Sequence, residues 1–251
     1  MKLQGRVAIV TGGGNGIGRA AAIAMAAEGA TVAIVDVDEA QARDAAQEIA
    51  GRGGRAVGLA GDVSRAADVT RFVGEAEAAF GPVTITFNNA GIQLHKSLVD
   101  TDEEGWDRLF AVNVKDMFLV SKAVIPSMER AGGGVILNAA SVASFRPLMG
   151  GDTAYVASKG AILAMTRDMA FALMRRNIRV LALCPGPTRT GILARSLQLG
   201  VVTEETVRAL QLTDHIAEPD EIGRMAAFLV SDDARYIVGS GVLIDGGMSI
   251  T

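Results

Sequence analysis

The chain has 251 residues, 49% of them hydrophobic, with 24 basic and 28 acidic side chains for a net charge of -4. That length suits one domain with a sizeable core, the composition argues against disorder, and the mild acidity offers nucleic acid or an anionic membrane no electrostatic reason to bind. A single cysteine, Cys184, excludes an intramolecular disulfide and fits a reducing, cytoplasmic setting. The first apolar run, 7–10, is cut at once by Thr11 and three glycines, too short for a secretory core. No run approaches the roughly 18 apolar residues that span a bilayer.

In chain order, β-branched runs at 7–11, 31–36, 55–60, 83–88, 135–140, 178–184 and 242–245 predict seven strands. Most are almost wholly apolar and lack alternation, which is how strands buried on both faces read. Between them, Ala-rich segments at 16–28, 38–52, 65–80, 101–130, 153–176 and 218–231 predict helices. The alternation predicts an α/β Rossmann fold, a doubly wound, seven-stranded parallel sheet in a single domain spanning 1–251. The one long irregular stretch, 186–216, lies beyond a strand's carboxyl end and is expected to be a substrate lid, with a short amphipathic helix over 203–212.

The first strand runs directly into Gly12, Gly13, Gly14, Asn15, Gly16, Ile17 and Gly18 before a helix begins. A tight turn, close backbone approach and a helix N-terminus aimed outward are what a pyrophosphate requires. No Lys-Ser/Thr follows the loop, which argues against nucleotide hydrolysis. Asp36 ends the second strand, where a carboxylate can accept hydrogen bonds from an adenosine ribose and repel a 2′-phosphate. Residues 15 and 37 are Asn and Val, so neither offers that phosphate a cation, and NAD is expected over NADP. Asp62-Val63 and Asn88-Asn89-Ala90-Gly91 follow the third and fourth strands, at the crevice end of such a sheet. Asn88 and Asn89 suit a cofactor contact or a clamp between strands equally well.

Ser141 lies just past the fifth strand, and Tyr155 and Lys159 share one face of a predicted helix. An ammonium near a phenol favours the phenolate, and lowering a tyrosine pKa by ~3 units corresponds to ~4 kcal/mol. Such a tyrosine would serve as a general base near neutral pH. His95 and His215 have no ligand partners at metal spacing, so no metal is expected. Cys184 reads as a small buried hydrophobe, and Trp106 with Phe110 as packing.

Thr11-Gly12-x-x-x-Gly16-Ile17-Gly18, Asn88-Asn89-Ala90-Gly91, Asn113, Ser141, Tyr155-x-x-x-Lys159 and Pro185-Gly186, in that order, resemble the short-chain dehydrogenase/reductase family over essentially the whole chain. The resemblance implies roles for these residues. Tyr155 would be the acid/base and Lys159 would bind the nicotinamide ribose and depress the tyrosine pKa. Ser141 would polarise the substrate oxygen, and Asn113 would hold a relay water. Gly12, Asn15, Gly16, Ile17 and Gly18 would line the pyrophosphate and adenosine ribose, with Asp62 and Val63 at the adenine. Asn89, Ala90 and Gly91 would flank the central riboses, and Pro185, Gly186, Thr188 and Thr190 the nicotinamide. Thr188 departs from the aliphatic residue the family often has there, which leaves open the residue that meets the carboxamide.

The resemblance also implies a homotetramer, to which Phe171, Leu173 and Met174 could contribute if they are not core. The expected activity is NAD-dependent interconversion of a secondary alcohol and a ketone. The alternatives are a carbonyl or 3-oxoacyl carrier-protein reductase and, more remotely, a dinucleotide-binding regulator without turnover. The substrate pocket is expected from 93–97, 142–153 and the lid, a mixture of Leu94, Phe145, Leu148, Met149, Ile192, Leu193 and Leu197 with Gln93, His95, Arg146 and Asp152. That mixture suggests a mainly hydrophobic alcohol.

Overall fold

The computed structural model describes all 251 residues. Seven strands form one parallel sheet: β1 Val7–Thr11, β2 Thr31–Asp36, β3 Arg55–Ala60, β4 Ile85–Asn88, β5 Gly134–Ala139, β6 Ile178–Pro185 and β7 Gly241–Ile244. Their order is β3-β2-β1-β4-β5-β6-β7, so the winding reverses between β1 and β4. At that reversal the crossovers leave the two strands toward opposite faces, and a crevice opens at their carboxyl ends. The central strands are apolar on both sides because helices cover both sides. Val10, Ile34 and Leu137 face one helical layer while Ile9, Val35 and Ile136 face the other.

α1 Gly16–Ala27, α2 Glu39–Gly51 and α9 Pro219–Val230 pack on the first face. Small residues let α1 and α9 approach closely: a Cβ on Gly223 would lie 2.6 Å from the backbone of Ala20. α3 Ala66–Phe80, α5 Asp116–Arg130 and α6 Thr153–Leu173 cover the second.

The predicted helix over 101–130 is interrupted. α4 Glu103–Phe110 passes through a wide turn, Ala111–Lys115, with i→i+5 bonding before α5 begins. Such a bulge rotates one side chain out of helical register, and here that side chain is Asn113. The stretch after β6 also carries more structure than expected. α7 Gly191–Gln198 forms beside the anticipated short helix, α8 Glu204–Ala209. α7 is amphipathic over only two turns, which periodicity alone does not resolve. Leu173 is core, whereas Phe171 is 89% exposed and Met174 43%.

A buried polar chain ties the centre of the sheet to its helices. Asn88 Nδ2 donates to Asn138 Oδ1 at 2.9 Å and to Ser121 Oγ at 3.2 Å, and Asn138 Nδ2 donates to Thr166 Oγ1 at 2.9 Å. Asn88 is therefore the clamp of the two readings its sequence position allowed. Replacing Asn138 with Leu strands a donor on Asn88. At roughly 1–3 kcal/mol for an unpaired buried group, and roughly 2–4 °C per kcal/mol for a domain of this size, we expect the midpoint of thermal unfolding to fall by roughly 2–12 °C. An unchanged midpoint would show that the chain contributes nothing to stability.

Candidate active site

The turn after β1 depends on conformations that only glycine adopts easily. Gly12 and Gly16 have φ of +59° and +52°. A Cβ on Gly12 would lie 2.9 Å from Ala90 Cα, and one on Gly18 only 2.1 Å from the Gly12 carbonyl oxygen. Gly18 thus sits beneath the turn as a packing contact, outside the groove wall, and lets α1 start directly under the loop. α1 begins with no side-chain cap and no acidic residue in its first turn. Its first amides and the positive end of its dipole are left for an anion.

The end of β4 is fastened to this turn. The backbone N–H groups of Asn89 and Ala90 donate to Thr11 Oγ1 at 3.0 and 3.2 Å, and Asn89 Nδ2 donates to the Thr11 and Gly12 carbonyls at 3.0 and 3.1 Å.

A groove of about 550 Å³ runs along the reversal. Gly12, Asn15, Gly16 and Ile17 form one wall, Asn89, Ala90 and Gly91 the other, with Thr190 at one end and Asp36, Asp62 and Val63 at the other. The Asp36 carboxylate accepts from Gly14 N at 3.0 Å and from Asp38 N at 3.1 Å, which fixes its direction. Arg108 of α4 also reaches this groove, where its charge acts on Asp62, a cation that no local signal in the sequence connected with the groove. Arg19, beside the glycine turn, is paired with Glu48 at 2.7 Å. A glycine turn without Cβ atoms, uncapped helix amides and a directed carboxylate fit a dinucleotide laid along the groove.

Past Gly91 and Thr190 the groove continues into a second cavity of about 220 Å³. Ser141, Tyr155 and Lys159 line it together, with Pro185, Gly186, Thr188 and Thr190 opposite. Tyr155 sits in the first turn of α6, whose start is set by Asp152. One Asp152 oxygen accepts from Tyr155 N at 3.1 Å and the other from His95 N at 2.8 Å. Asp152 was expected in the pocket, and the structure makes it a helix cap behind it. Its position three residues before Tyr155 is itself a capping signal.

Lys159 lies one turn further on, its Nζ 5.4 Å from the centre of the Tyr155 ring and donating to the Ala139 carbonyl at 2.7 Å. Burial lowers Lys159 to about 8 and raises Tyr155 to about 12, with the Ser141 hydroxyl pulling the phenol back down. Positive charge brought to the phenol is what this site needs to make a base of it.

Asn113 does not line either space. Its Oδ1 accepts from Ile92 N at 2.8 Å, and its Nδ2 donates to the Ile92 carbonyl at 3.0 Å and to Ser158 Oγ at 3.1 Å. A Cβ on Gly91 would lie 3.5 Å from Asn113 Oδ1 and 3.6 Å from Lys159 Nζ, so both groups pack beside the Gly91 backbone.

Other candidates fall away from the chemistry. His95 Nδ1 meets Ser196 Oγ of α7 at 3.1 Å, and His215 pairs with Glu221 at 2.7 Å. Arg146 Nη1 donates to the Met248 carbonyl and to Thr251 Oγ1, and Phe145 lies off the cavity wall. Burial pushes the Cys184 thiol up to about 12, which leaves it inert as a nucleophile at neutral pH. No three His, Cys, Asp or Glu side chains cluster as a metal site, and no helix is long and apolar enough to cross a membrane.

Fold and site together define a dinucleotide-binding α/β protein with a Ser-Tyr-Lys cavity at the end of its groove. The model of a family described as enoyl-(acyl carrier protein) reductase matches residues 12–249. The chain is 40% identical to 2-(S)-hydroxypropyl-CoM dehydrogenase 3 of Xanthobacter autotrophicus, over 99% of this chain and 98% of that one. It is 36% identical to the 2,5-dichloro-2,5-cyclohexadiene-1,4-diol dehydrogenase LinX of Sphingobium indicum, over 99% and 98%. A crystal structure of a short-chain type dehydrogenase/reductase from Mycobacterium marinum superposes with a TM-score of 0.92 at 30% identity, covering 100% of this chain and 98% of that one. The chain belongs to the short-chain dehydrogenase/reductase family. Membership makes it an oxidoreductase of alcohol groups that uses a nicotinamide dinucleotide and a small-molecule substrate.

One buried carboxyl beside this site escaped the sequence reading. Asp116, 2% exposed at the start of α5, accepts from the N–H of Met117, and burial pushes it up to about 8 despite the opposing charge of Lys159. The unfolded chain releases this proton near pH 4 and the folded chain near pH 8. Stability that Asp116 contributes at acid pH is therefore lost as the pH rises across that window. Asp116→Asn cannot titrate, so its unfolding midpoint, relative to the parent protein, is expected to rise between pH 5 and pH 8. A variant less stable than the parent at pH 8 would mean that Asp116 is ionised and paired with Lys159.

Proposed function

We propose that the protein is an NAD-dependent dehydrogenase that interconverts a secondary alcohol and a ketone. One observation carries this reading: Ser141, Tyr155 and Lys159 share a cavity continuous with a groove whose far end is occupied by the Asp36 carboxylate. When bound, the dinucleotide supplies the hydride acceptor. Ser141 orients the substrate oxygen. The Tyr155 phenolate takes the hydroxyl proton as the electron pair of the C–H bond leaves the carbinol carbon and the C=O bond forms. Lys159 holds the nicotinamide ribose and, as a cation, stabilises the phenolate. A water held near Lys159 and Asn113 would return the proton to solvent.

Asp36 favours NAD because its carboxylate is fixed by two backbone amides and cannot swing away from a 2′-phosphate. The remaining contacts follow the same assignment. Gly12, Asn15, Gly16, Ile17 and Gly18 shape the phosphate end, Asp62 and Val63 the adenine end, and Asn89, Ala90 and Gly91 the riboses. Pro185, Gly186, Thr188 and Thr190 meet the nicotinamide. Residues 186–216, with α7 and α8, act as the lid. The names of two relatives, a hydroxypropyl-CoM dehydrogenase and a diol dehydrogenase, agree with work in the oxidative direction. The exposed Phe118, Phe171 and Met174 on or beside α5 and α6 support a tetramer built through those helices.

Tyr155→Phe removes the proton acceptor and keeps the ring, so kcat for alcohol oxidation should fall by 10²–10⁴ while NADH binding, read by fluorescence, persists. A loss of less than tenfold would sink the mechanism. Asp36→Ser combined with Val37→Arg should shift the kcat/KM preference from NAD toward NADP. A parent protein that already prefers NADP would overturn the cofactor assignment.

A further inference from the structure

The charge of the cavity wall bears on what the enzyme oxidises. Away from Ser141, Tyr155 and Lys159, the wall is built of Leu148, Met149, Ile192, Leu193, Val207 and Leu210, with further aliphatic side chains between them. No arginine, no histidine and no second lysine reaches it. Arg195 of α7, exposed and close enough to His95 to disfavour its charge, does not line the wall, and the other nearby cations are engaged elsewhere. Arg146 holds the C-terminal segment, Arg189 pairs with Glu204 at 2.6 Å and Glu218 at 3.3 Å, and Arg208 faces Asp214 at 3.3 Å. His95 bonds Ser196, and burial holds it below its ordinary pKa, so it is neutral at physiological pH. Lys159 lies at the reacting end, donating to a backbone carbonyl. Asn89, Thr188 and Thr190 belong to the end of the wall shared with the cofactor groove, and two further polar side chains remain. Ser196 is taken by His95 and the Ile192 carbonyl. Gln93 lines the cavity, and its amide has no partner within the chain.

An anionic group carried into this wall would lose its hydration and meet no counter-charge, whereas an apolar or neutral polar group loses far less. Resting on the dehydrogenase reading above, we propose that the substrate is an uncharged, predominantly apolar secondary alcohol, and that Gln93 selects a second, neutral hydrogen-bonding group on it. A wall whose one unpaired polar group away from the reacting and cofactor ends is an amide accepts both donors and acceptors but cannot neutralise a carboxylate or a sulfonate.

The test uses alcohols that share a carbinol carbon and ring and differ at the far end in charge: 4-hydroxycyclohexane-1-carboxylate against its carboxamide and its methyl ester. Hydroxypropyl-CoM, a sulfonate, serves as a second anionic probe. With the intact enzyme and NAD, the carboxamide and the ester should each show a kcat/KM at least 100-fold above either anion. Gln93→Arg should narrow the ester-to-carboxylate ratio at least tenfold by raising the value for the carboxylate. An anion used as well as the carboxamide or the ester, or a ratio that Gln93→Arg leaves unmoved, would overturn the proposal.

Binding to the enzyme–NADH complex gives a readout apart from turnover. The oxo ester should bind at least 100-fold more tightly than the oxo acid, and equal binding, or binding of neither, overturns the proposal. The two readings fail separately: absence of oxidation of every alcohol defeats the dehydrogenase assignment, whereas the charge inference fails on the ratio.

Discussion

The fastening of β1 to β4 at the point where the sheet reverses is the contact on which the site depends. Asn89 and Ala90 donate four hydrogen bonds to Thr11 and Gly12, and Thr11 and Asn89 are 78 residues apart in sequence. Without that clamp the crossovers on either side would still cover the sheet, but the crevice between them would have no fixed floor. With it, the glycine turn lies so close to Ala90 that a Cβ on Gly12 has no room. The cofactor groove is thus defined by backbone, and backbone held on both sides is stiffer than any side-chain wall.

From that floor the geometry propagates outward. Beyond the end of β5 lies Ser141, and α6 returns over the same end of the sheet to bring Tyr155 and Lys159 opposite it. α6 starts in the right place because Asp152 caps it, and the same carboxylate holds the His95 loop. The wide turn before α5 serves a similar purpose, since a regular helix over 101–130 would carry Asn113 to a different angle. Several local irregularities therefore converge on one cavity. They depart from regular element geometry at the places where function requires it.

Electrostatics at this site favour the neutral form of each group. Burial raises Tyr155 and Asp116 and lowers Lys159. Burial of that kind strengthens the effect of whatever charge is finally introduced, because protein screens it less than bulk water does. The aliphatic wall penalises a charged substrate tail, so the surroundings of the reacting groups also narrow what can reach them. The exposed aromatic residues on α5 and α6 lie away from the cavity, and nothing in the described chain couples them to it.

The doubly wound sheet was legible in the sequence because burial on both faces imposes apolar runs without alternation, and Val7–Thr11, Thr31–Asp36 and Arg55–Ala60 coincide with the predicted strands. The glycine turn, Asp36, Ser141 and the Tyr155-Lys159 pair were legible too, because each occupies a fixed offset from a strand end or a helix turn. The roles of Asp152, Arg108 and Asp116 were not, and neither were α7 and the bulge at Ala111–Lys115. What a side chain meets 40 or more residues away leaves no periodic trace. His95, Arg146 and Asp152 looked like pocket residues by position and proved to be a latch to α7, a tie to the C-terminus and a helix cap. By itself the sequence determined the architecture and the chemical groups available, because backbone patterning and residue type are local properties. Tertiary structure alone decided which of those groups share one cavity and what charge its wall carries, because both depend on contacts between segments distant in the chain.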